Sequence, residues 1–448
     1  MTSRRVVFAP DSFKGTATAV EAAEALATGW REVRPHDELR LVPMADGGEG
    51  TLDAFEIARP EARRIPVRVT GPDDAVVEAY WLHLPDDGSA GRGVEGDAGD
   101  RDRDGGGGHG DGPERDDRFD DRAGRIGGVG VVELASTSGI TLLHPLRPLE
   151  AHTLGFGQAI RAALDAGVDR LVLAIGGSSS TDGGAGLLTA LGARFIGADG
   201  LDVPLGNGSL GSVVRVELGA LVSVPPGGVV VLSDVTSPLL GRHGAVAVFG
   251  PQKGIGESIA PPAEERLDHF ARIVRDAVRG LPSGPGRPGE PSAGAHPLPL
   301  DDLGRPEAEE STGDRHPIHR DEPGDGAAGG AGFGLRLWGA KLAPGASAVA
   351  QTLGLASIVE GAHHVVTGEG RYDHQSESGK VPSEVRRLAR DAGAGVSLVA
   401  GAVEGRPELF DHALALTDLA GSPERALAEP LPWLTEAGRR LAARADAP

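Results

Sequence analysis

Clusters of acidic, basic and hydroxyl side chains follow the apolar runs of this sequence, at places where parallel strands would end. The segment APDSFKG carries Asp11, Ser12 and Lys14, and the segment ADGGEG carries Asp46 and Glu49. In open α/β sheets the carboxyl ends of the strands border the crevice where ligands bind. We therefore expect these side chains to face a ligand site.

Three further clusters stand in the same position after an apolar run. The segment IGGSSSTDGGAG offers Ser178, Ser179 and Asp182 ahead of a helix-forming stretch. In such a turn, backbone N–H groups and the helix dipole both favour an anion. The segment SDVTSPLLG adds Asp234, and FGPQKG adds Lys253. These clusters indicate a site for an oxyanion or a phosphate group.

The segment VVTGEGRYDHQSESGK starts as an apolar run and changes abruptly to glycines, acids, bases and hydroxyls. We predict that the strand ends before the polar residues, which would place their side chains at the same crevice. The candidates for ligand contact are Glu369, Arg371, Asp373, Ser376 and Lys380.

Together these residues suit phosphoryl transfer, which needs two reactants held in line and cations against the charge of the transferring group. The sequence contains neither a Walker A motif nor the loop set of protein kinases, so a kinase with this sequence would belong to another class. The alternative for Asp11, Asp46 and Asp182, each taken singly, is a helix cap or a turn residue.

The elements that position these residues are predicted from periodicity. Short β-branched runs alternate with Ala- and Leu-rich segments of helical spacing, which indicates βα units and a largely parallel sheet. RRVVFAP, ELRLVPM, HHVVTGEG, GVSLVAGAV and ALALTDLA are predicted strands near the chain ends, and RLVLAIGG and GGVVVLSDVTSP are predicted strands in the middle. We predict an α/β fold with a doubly wound Rossmann-like domain formed by both chain ends, residues 1–64 and 324–448. Residues 65–280 would form an inserted mixed α/β domain.

Two acidic insertions interrupt this pattern, at residues 85–125 and 281–323. Both are poor in large apolar residues and rich in glycine, proline or acids, a composition that predicts disorder. We expect neither to bind a ligand. The alternative is that the second insertion gates the cleft as a lid, because it leads directly into the glycine-rich turn GDGAAGG.

Composition limits the possible functions. The 448 residues include 44 Lys and Arg against 65 Asp and Glu, a formal net charge of -21, which argues against nucleic-acid or anionic membrane partners. The absence of cysteine excludes disulfides, thiolate nucleophiles and zinc-thiolate sites. No signal peptide or long apolar stretch stands out, so we expect a cytoplasmic enzyme or binding protein.

The seven motifs APDSFKG, ADGGEG, IGGSSSTDGGAG, DVTSPL, FGPQKG, GAAGGAGFG and TGEGRYDHQSESGK resemble, in this order, those of the bacterial glycerate kinase family. The resemblance runs from Val6 to about Leu427. It implies a two-domain α/β architecture, ATP and Mg²⁺ as cofactors, D-glycerate as substrate and 2-phosphoglycerate as product.

The residue chemistry and this resemblance lead to expected roles. Lys14 and Arg371 would bind the substrate carboxylate or the transferring phosphate, because fixed cations suit anions. Lys253 and Lys380 would bind the nucleotide phosphates. Two carboxylates would serve as general base and magnesium ligand, in an order left open. These two carboxylates are Asp182 and Asp234, and the further groups near the ligands are Asp11, Asp46, Glu49, Glu369 and Asp373.

Two alternatives for the function stay open on the sequence. One is a noncatalytic sensor or binding protein for a small phosphorylated acid, and the other is a kinase for a different small hydroxy acid. The chemistry of glycerate also permits phosphorylation at position 3, whereas the resemblance implies position 2.

Overall fold

The computed structural model describes residues 3–13, 15–85, 125–279, 321–373, 376 and 380–445. Lys14 lies outside the described residues, and so do residues 86–124 and 280–320, which make up nearly all of the two predicted insertions.

The described strands form two large sheets and a short hairpin. Their β-branched residues pack well on a pleated surface, and the strands Arg5–Pro10 and Arg170–Ala174 are buried along nearly their whole length. The strands are β1 (Arg5–Pro10), β2 (Glu38–Leu41), β3 (Arg63–Thr70), β4 (Val76–Leu84), β5 (Val129–Glu133), β6 (Arg170–Ala174), β7 (Arg194–Ile196), β8 (Arg215–Glu217), β9 (Val229–Leu232), β10 (Lys341–Ala343), β11 (His364–Tyr372), β12 (Gly395–Val403) and β13 (His412–Ala415).

Helices cover the faces of both sheets. The helices are α1 (Ala19–Val33), α2 (Thr51–Ala58), α3 (Ala135–Ser138), α4 (Leu154–Asp165), α5 (Ala185–Ala190), α6 (Ala245–Phe249), α7 (Ala260–Arg279), α8 (Ala331–Trp338), α9 (Gly345–Thr352), α10 (Leu355–Val359), α11 (Val381–Asp391), α12 (Leu416–Ala420), α13 (Pro423–Ala428) and α14 (Pro430–Arg444).

The first sheet is formed by the two ends of the chain, in the order β13-β12-β11-β1-β2, and its neighbouring strands are all parallel. Side chains of β1 alternate between its faces, as the pleat requires. Val6 and Phe8 pack toward α1 and α14 on one face, and Val7 and Ala9 pack in the core that contains α9 and α11 on the other. This confirms the predicted α/β fold with helices on both faces of a parallel sheet.

The second sheet has the order β10-β9-β6-β5-β4-β3. Strands β10, β9, β6 and β5 are parallel, whereas β4 and β3 are antiparallel, so this sheet is mixed. Strand β10 pairs with β9 of the second sheet, although it belongs to the segment 324–448 that was predicted to join the domain formed by the chain ends. The residue limits of the two predicted domains stay a prediction.

One apolar layer joins the two sheets. Val131, Val172 and Leu232 from the second sheet belong to the same buried cluster as Val7 and Leu398 from the first. The opposite face of the second sheet is covered by α4, α5, α7 and α8 in a separate core. Because the shared layer excludes water, it holds the carboxyl ends of the two sheets close to each other.

Two predictions about local structure are wrong. The segment ALALTDLA is a strand only as far as Ala415, and α12 begins at Leu416. Strand β11 does not end before Glu369, because its pairing with β12 continues through Tyr372 and Val403. The polar residues at 369 and 371 are therefore strand residues rather than loop residues.

No helix in the described part of the chain is long and apolar enough to cross a membrane.

Helices α1 and α14 pack closely through two glycines. A Cβ at Gly29 would overlap the carbonyl oxygen of Thr435, and a Cβ at Gly438 would overlap that of Leu26. The two backbones approach each other at a distance that only glycine permits.

We expect Gly29→Ala to lower the free energy of unfolding by about 1–2 kcal/mol, because overpacking outweighs the better helix propensity of alanine. Urea denaturation measures this change. Thr28→Ala, at an exposed position of the same helix, is the control. It gains helix propensity without a close contact, so it should raise the free energy of unfolding by at most about 0.7 kcal/mol. A Gly29→Ala variant as stable as the wild type would contradict the close packing.

Candidate active site

A cleft of about 1020 Å³ lies at the carboxyl ends of both sheets. The first sheet and its helices contribute residues 15–21 and 46–50, and the second contributes residues 175–178 and 232–235. The crevice expected for an open α/β sheet is therefore bordered here by two sheets at once.

The cleft brings together predicted site residues that are far apart in the sequence. They include hydroxyls, carboxylates and lysines, the set that phosphoryl transfer needs. The predicted residues that line it are Ser12, Asp46, Glu49, Ser178, Asp234, Lys253 and Lys380.

The loop that carries Asp46 and Glu49 is packed against the ends of the second sheet. Gly176 N–H donates a hydrogen bond of 2.9 Å to the Gly47 carbonyl oxygen. Gly47 has φ +92°, and a Cβ there would lie 2.5 Å from the Leu232 carbonyl oxygen. Only glycine fits this position, since it tolerates both the left-handed backbone and the close approach.

Lys253 is buried beneath the cleft, with 2% of its surface exposed. Its Nζ donates to Ser178 Oγ at 2.7 Å and to the Ser180 carbonyl oxygen at 2.6 Å. Burial lowers the pKa of the Lys253 ammonium to about 7, and the nearby Asp182 carboxylate partly opposes this shift. The lysine is therefore poised between its charged and neutral forms near neutral pH.

Glu133 lines the cleft, although the sequence motifs did not indicate it as a site residue. It ends β5, and its Oε2 accepts a hydrogen bond of 3.2 Å from Leu52 N–H near the start of α2. Burial raises the pKa of its carboxyl to about 7, although the N–H groups of Leu52 and Gly50 oppose the rise. The sequence signal that could have identified Glu133 is an acid at the end of the apolar run VGVVE. Unlike the other clusters, this acid is not followed by a glycine-rich turn.

Asp182 lies outside the cleft lining and is fully buried. Its Oδ2 accepts hydrogen bonds from Thr153 N–H at 2.9 Å, Thr153 Oγ1 at 2.8 Å and Gly186 N–H at 3.1 Å. Its Oδ1 accepts from Ser180 Oγ and from Gly184 N–H. Both oxygens are thus engaged by groups of the protein, and they tie the starts of α4 and α5 to the 178–182 turn.

Asp234 follows β9 and faces the cleft. Its Oδ1 accepts a hydrogen bond of 2.8 Å from Gly345 N–H at the start of α9. This contact fixes the orientation of the carboxylate toward the cleft. Within the residues that the structure describes, no group of three or more His, Cys, Asp or Glu side chains is placed to hold a metal ion.

The candidates Glu369, Arg371, Asp373 and Ser376, on β11 and in the described part of the following loop, lie outside the cleft lining. Arg371 is exposed and pairs with Glu404, which directly follows β12. Glu369 is buried, and the N–H of Ser376 donates to Asp373 Oδ1. The exception is Lys380, which directly precedes α11 and reaches the cleft.

Two other candidates, and Asp325 of a glycine-rich turn, have structural contacts. Asp11 Oδ1 accepts from its neighbour Ser12 N–H at 2.7 Å, and Ser179 Oγ donates to the Ser138 carbonyl oxygen. In the turn GDGAAGG, Asp325 pairs with Arg336, and burial raises the pKa of the Asp325 carboxyl. None of the three lines the cleft, whereas Ala328 of that turn does.

The comparisons with known proteins agree with the cleft and its motifs. The model of the glycerate kinase family matches residues 6–96 and 116–446. The chain is 32% identical to a glycerate kinase of Halalkalibacterium halodurans, over 98% of this chain and 97% of that protein. It is also 32% identical to a glycerate 2-kinase of Escherichia coli, over 89% of this chain and 85% of that protein.

The fold comparison gives the same result. The crystal structure assigned as glycerate kinase 2 from Salmonella typhimurium LT2 superimposes with a TM-score of 0.69 at 29% identity, covering 100% of this chain and 99% of that one. A two-sheet α/β kinase with its cleft at the strand ends is thus the class that fold and site define. The chain belongs to the glycerate kinase family.

Asp182→Asn should lower the free energy of unfolding by about 3 kcal/mol, because the amide would turn an NH₂ group toward backbone N–H donors inside the core. Urea denaturation measures the loss. Asp165→Asn is the matched control, since Asp165 is exposed and forms a surface pair with Arg161, worth less than about 0.5 kcal/mol. Unchanged stability in Asp182→Asn would contradict a positioning role.

The substitution Glu133→Gln tests whether the pKa of the buried Glu133 carboxyl is raised. The folded-state pKa of Glu133 is about 7 against a reference of 4.5, so the folded state binds more protons between these values. By linkage, the favourable contribution of this group is present below pH 4.5 and is lost as the pH rises through 7.

Glutamine lacks this titration. Relative to the wild type, Glu133→Gln should therefore gain about 2–3 kcal/mol of stability between pH 5 and pH 8, measured by urea denaturation at both values. Glu78→Gln, at an exposed position on β4, should show no such pH-dependent difference. The same stability difference at both pH values for Glu133→Gln would show that this carboxyl is not buried as described.

Proposed function

We propose that the protein catalyses ATP-dependent phosphorylation of D-glycerate to 2-phosphoglycerate and ADP. The observation that carries this proposal is the shared cleft at the ends of two sheets, which is lined by Lys253, Ser178 and Asp234 together with Asp46 and Glu49. The names of the relatives from Halalkalibacterium halodurans and Escherichia coli support glycerate as the substrate.

Binding of the anionic reactants would depend on lysines and backbone donors. Lys253 and Lys380 line the cleft and would contact the phosphates, while Lys14 lies outside the described residues. Arg371 pairs with Glu404 at the surface, outside the cleft lining, which argues against a contact with the substrate carboxylate. Gly177 also lines the cleft, so its backbone would border a bound phosphate.

Magnesium would be held by Asp234 together with the nucleotide. This carboxylate fits the role because it faces the cleft and is oriented by Gly345, and Mg²⁺ commonly binds one or two carboxylates plus phosphate oxygens and waters. Asp182 does not fit, since both of its oxygens accept hydrogen bonds from the protein. When bound, the ion neutralises charge on the phosphates.

Two further carboxylates of the cleft, Asp46 and Glu49, would orient the acceptor. Hydrogen bonds to hydroxyl groups suit their acceptor oxygens. The loop that carries them is fixed by Gly47, so their positions depend little on ligand binding. The two sheets would border the reactants on two sides and so limit the access of water to the phosphoryl group.

Incubation of the purified protein with D-glycerate, ATP and Mg²⁺ tests the proposal. Phosphorus NMR should show ADP and a phosphate ester at position 2. A product at position 3 would contradict the proposed regiochemistry, and turnover only with other small hydroxy acids would contradict the substrate. No turnover with any of these acids would favour a binding protein.

Asp234→Asn should reduce turnover by at least about 100-fold while leaving the fold intact, because a neutral amide is a weaker ligand for Mg²⁺. Circular dichroism checks the fold, and a coupled ADP assay measures turnover. Asp391→Asn, an exposed position on α11, is the control with expected normal turnover. A near-normal rate in Asp234→Asn would exclude the assigned role.

A further inference from the structure

Ser178 and Lys253 form a hydrogen-bonded pair whose geometry suits proton transfer as well as phosphate binding. Lys253 Nζ lies 2.7 Å from Ser178 Oγ, and both residues line the cleft. The second contact of the amine is the Ser180 carbonyl oxygen at 2.6 Å. A neutral amine could keep this second hydrogen bond as a donor and accept the Ser178 proton with its lone pair.

The surroundings of Lys253 favour the neutral amine. The side chain is buried, and its Nζ lies close to Gly329, where a Cβ would be 2.9 Å away. Asp182 is the charged group that acts on it, and that carboxylate is already engaged by hydrogen bonds from Thr153. A desolvated lysine next to a hydroxyl is a general base in serine-lysine catalytic pairs.

Ser178 is accessible from the cleft side. It follows Gly176 and Gly177 just after β6 and lines the cleft together with them, although only 7% of its surface is exposed. Ser179, by contrast, directs its hydroxyl to the Ser138 carbonyl oxygen and away from the cleft. Of the three serines of the SSS run, Ser178 is therefore the one whose hydroxyl contacts Lys253 at the cleft, since Ser180 Oγ donates to Asp182.

We propose that Lys253 activates Ser178 as a nucleophile that accepts the γ-phosphoryl group of a nucleoside triphosphate when no acceptor acid is bound. This inference rests on the proposed function, because it uses the same cleft and the same donor.

The step balances as follows. Ser178 Oγ forms a bond to the γ-phosphorus, the bond between that phosphorus and the β–γ bridging oxygen breaks, and the nucleoside diphosphate leaves with the electron pair. The hydroxyl proton passes to Lys253 Nζ. The resulting ammonium then faces the new phosphoserine, a charge-assisted contact that stabilises the product.

The experiment is incubation of the full-length protein with ATP and Mg²⁺ without glycerate, followed by intact-mass and peptide-mapping mass spectrometry. The wild type should gain one phosphoryl group, about 80 Da, at Ser178. Ser178→Ala should not gain it, and Ser212→Ala, an exposed serine away from the cleft, should behave as the wild type. Lys253→Met should lose the modification.

The pH dependence distinguishes a base from a structural lysine. Because neutral Lys253 is required, the rate of phosphorylation of the wild type should rise about tenfold from pH 6 to pH 8. A rate that does not change over this range overturns the role of Lys253, even if the Lys253→Met variant does not fold.

A parallel turnover assay with D-glycerate separates this inference from the proposed function. Turnover without a mass increase at Ser178 overturns the inference and leaves the kinase reaction in place. A mass increase at Ser178 without glycerate turnover supports the nucleophile and overturns glycerate as acceptor. Phosphorylation confined to other residues overturns the inference.

Discussion

The close approach of the 46–50 loop to the second sheet is the constraint on which the cleft depends. Gly47 meets the end of β9 at Leu232, and its carbonyl accepts from Gly176 at the end of β6. A side chain at position 47 would separate the two sheets. A side chain at Gly345 would likewise overlap the backbone of Asp46. Because glycine alone fits both places, residues of the two sheets can share one ligand.

Burial of opposite charges then sets the chemistry of this shared cleft. Lys253 and Glu133 both line the cleft and both have pKa values of about 7, because desolvation favours the neutral form of each side chain. A site with two groups near half-protonation exchanges protons readily at neutral pH. The energy needed to keep them buried comes from the apolar layer between the sheets. Asp182 contributes differently, since its hydrogen bonds fix the turn from which Ser178 and Lys253 take their geometry.

Much of this arrangement could be predicted from the sequence, because β-branched runs and glycine-rich turns report local structure directly. The segment GVSLVAGAV coincides with β12, and the residues after β1, β2, β6 and β9 supply most of the cleft. Long-range pairing could not be predicted. Arg371 lies on the surface because β11 continues beside β12, and Asp182 is buried because α4 arrives from elsewhere in the chain. Glu133 was missed since its burial depends on α2, which a local pattern does not show.

Hydrogen exchange of backbone amides, with and without ATP, Mg²⁺ and D-glycerate, tests the central claim that one cleft between two sheets binds both reactants. The account predicts that amides of residues 46–52 and 175–180 become protected together, since these segments border the cleft from opposite sheets. Amides of α14, which packs on the far side of the first sheet, should not change. Protection confined to one of the two segments, or located only in α14, would contradict a shared site.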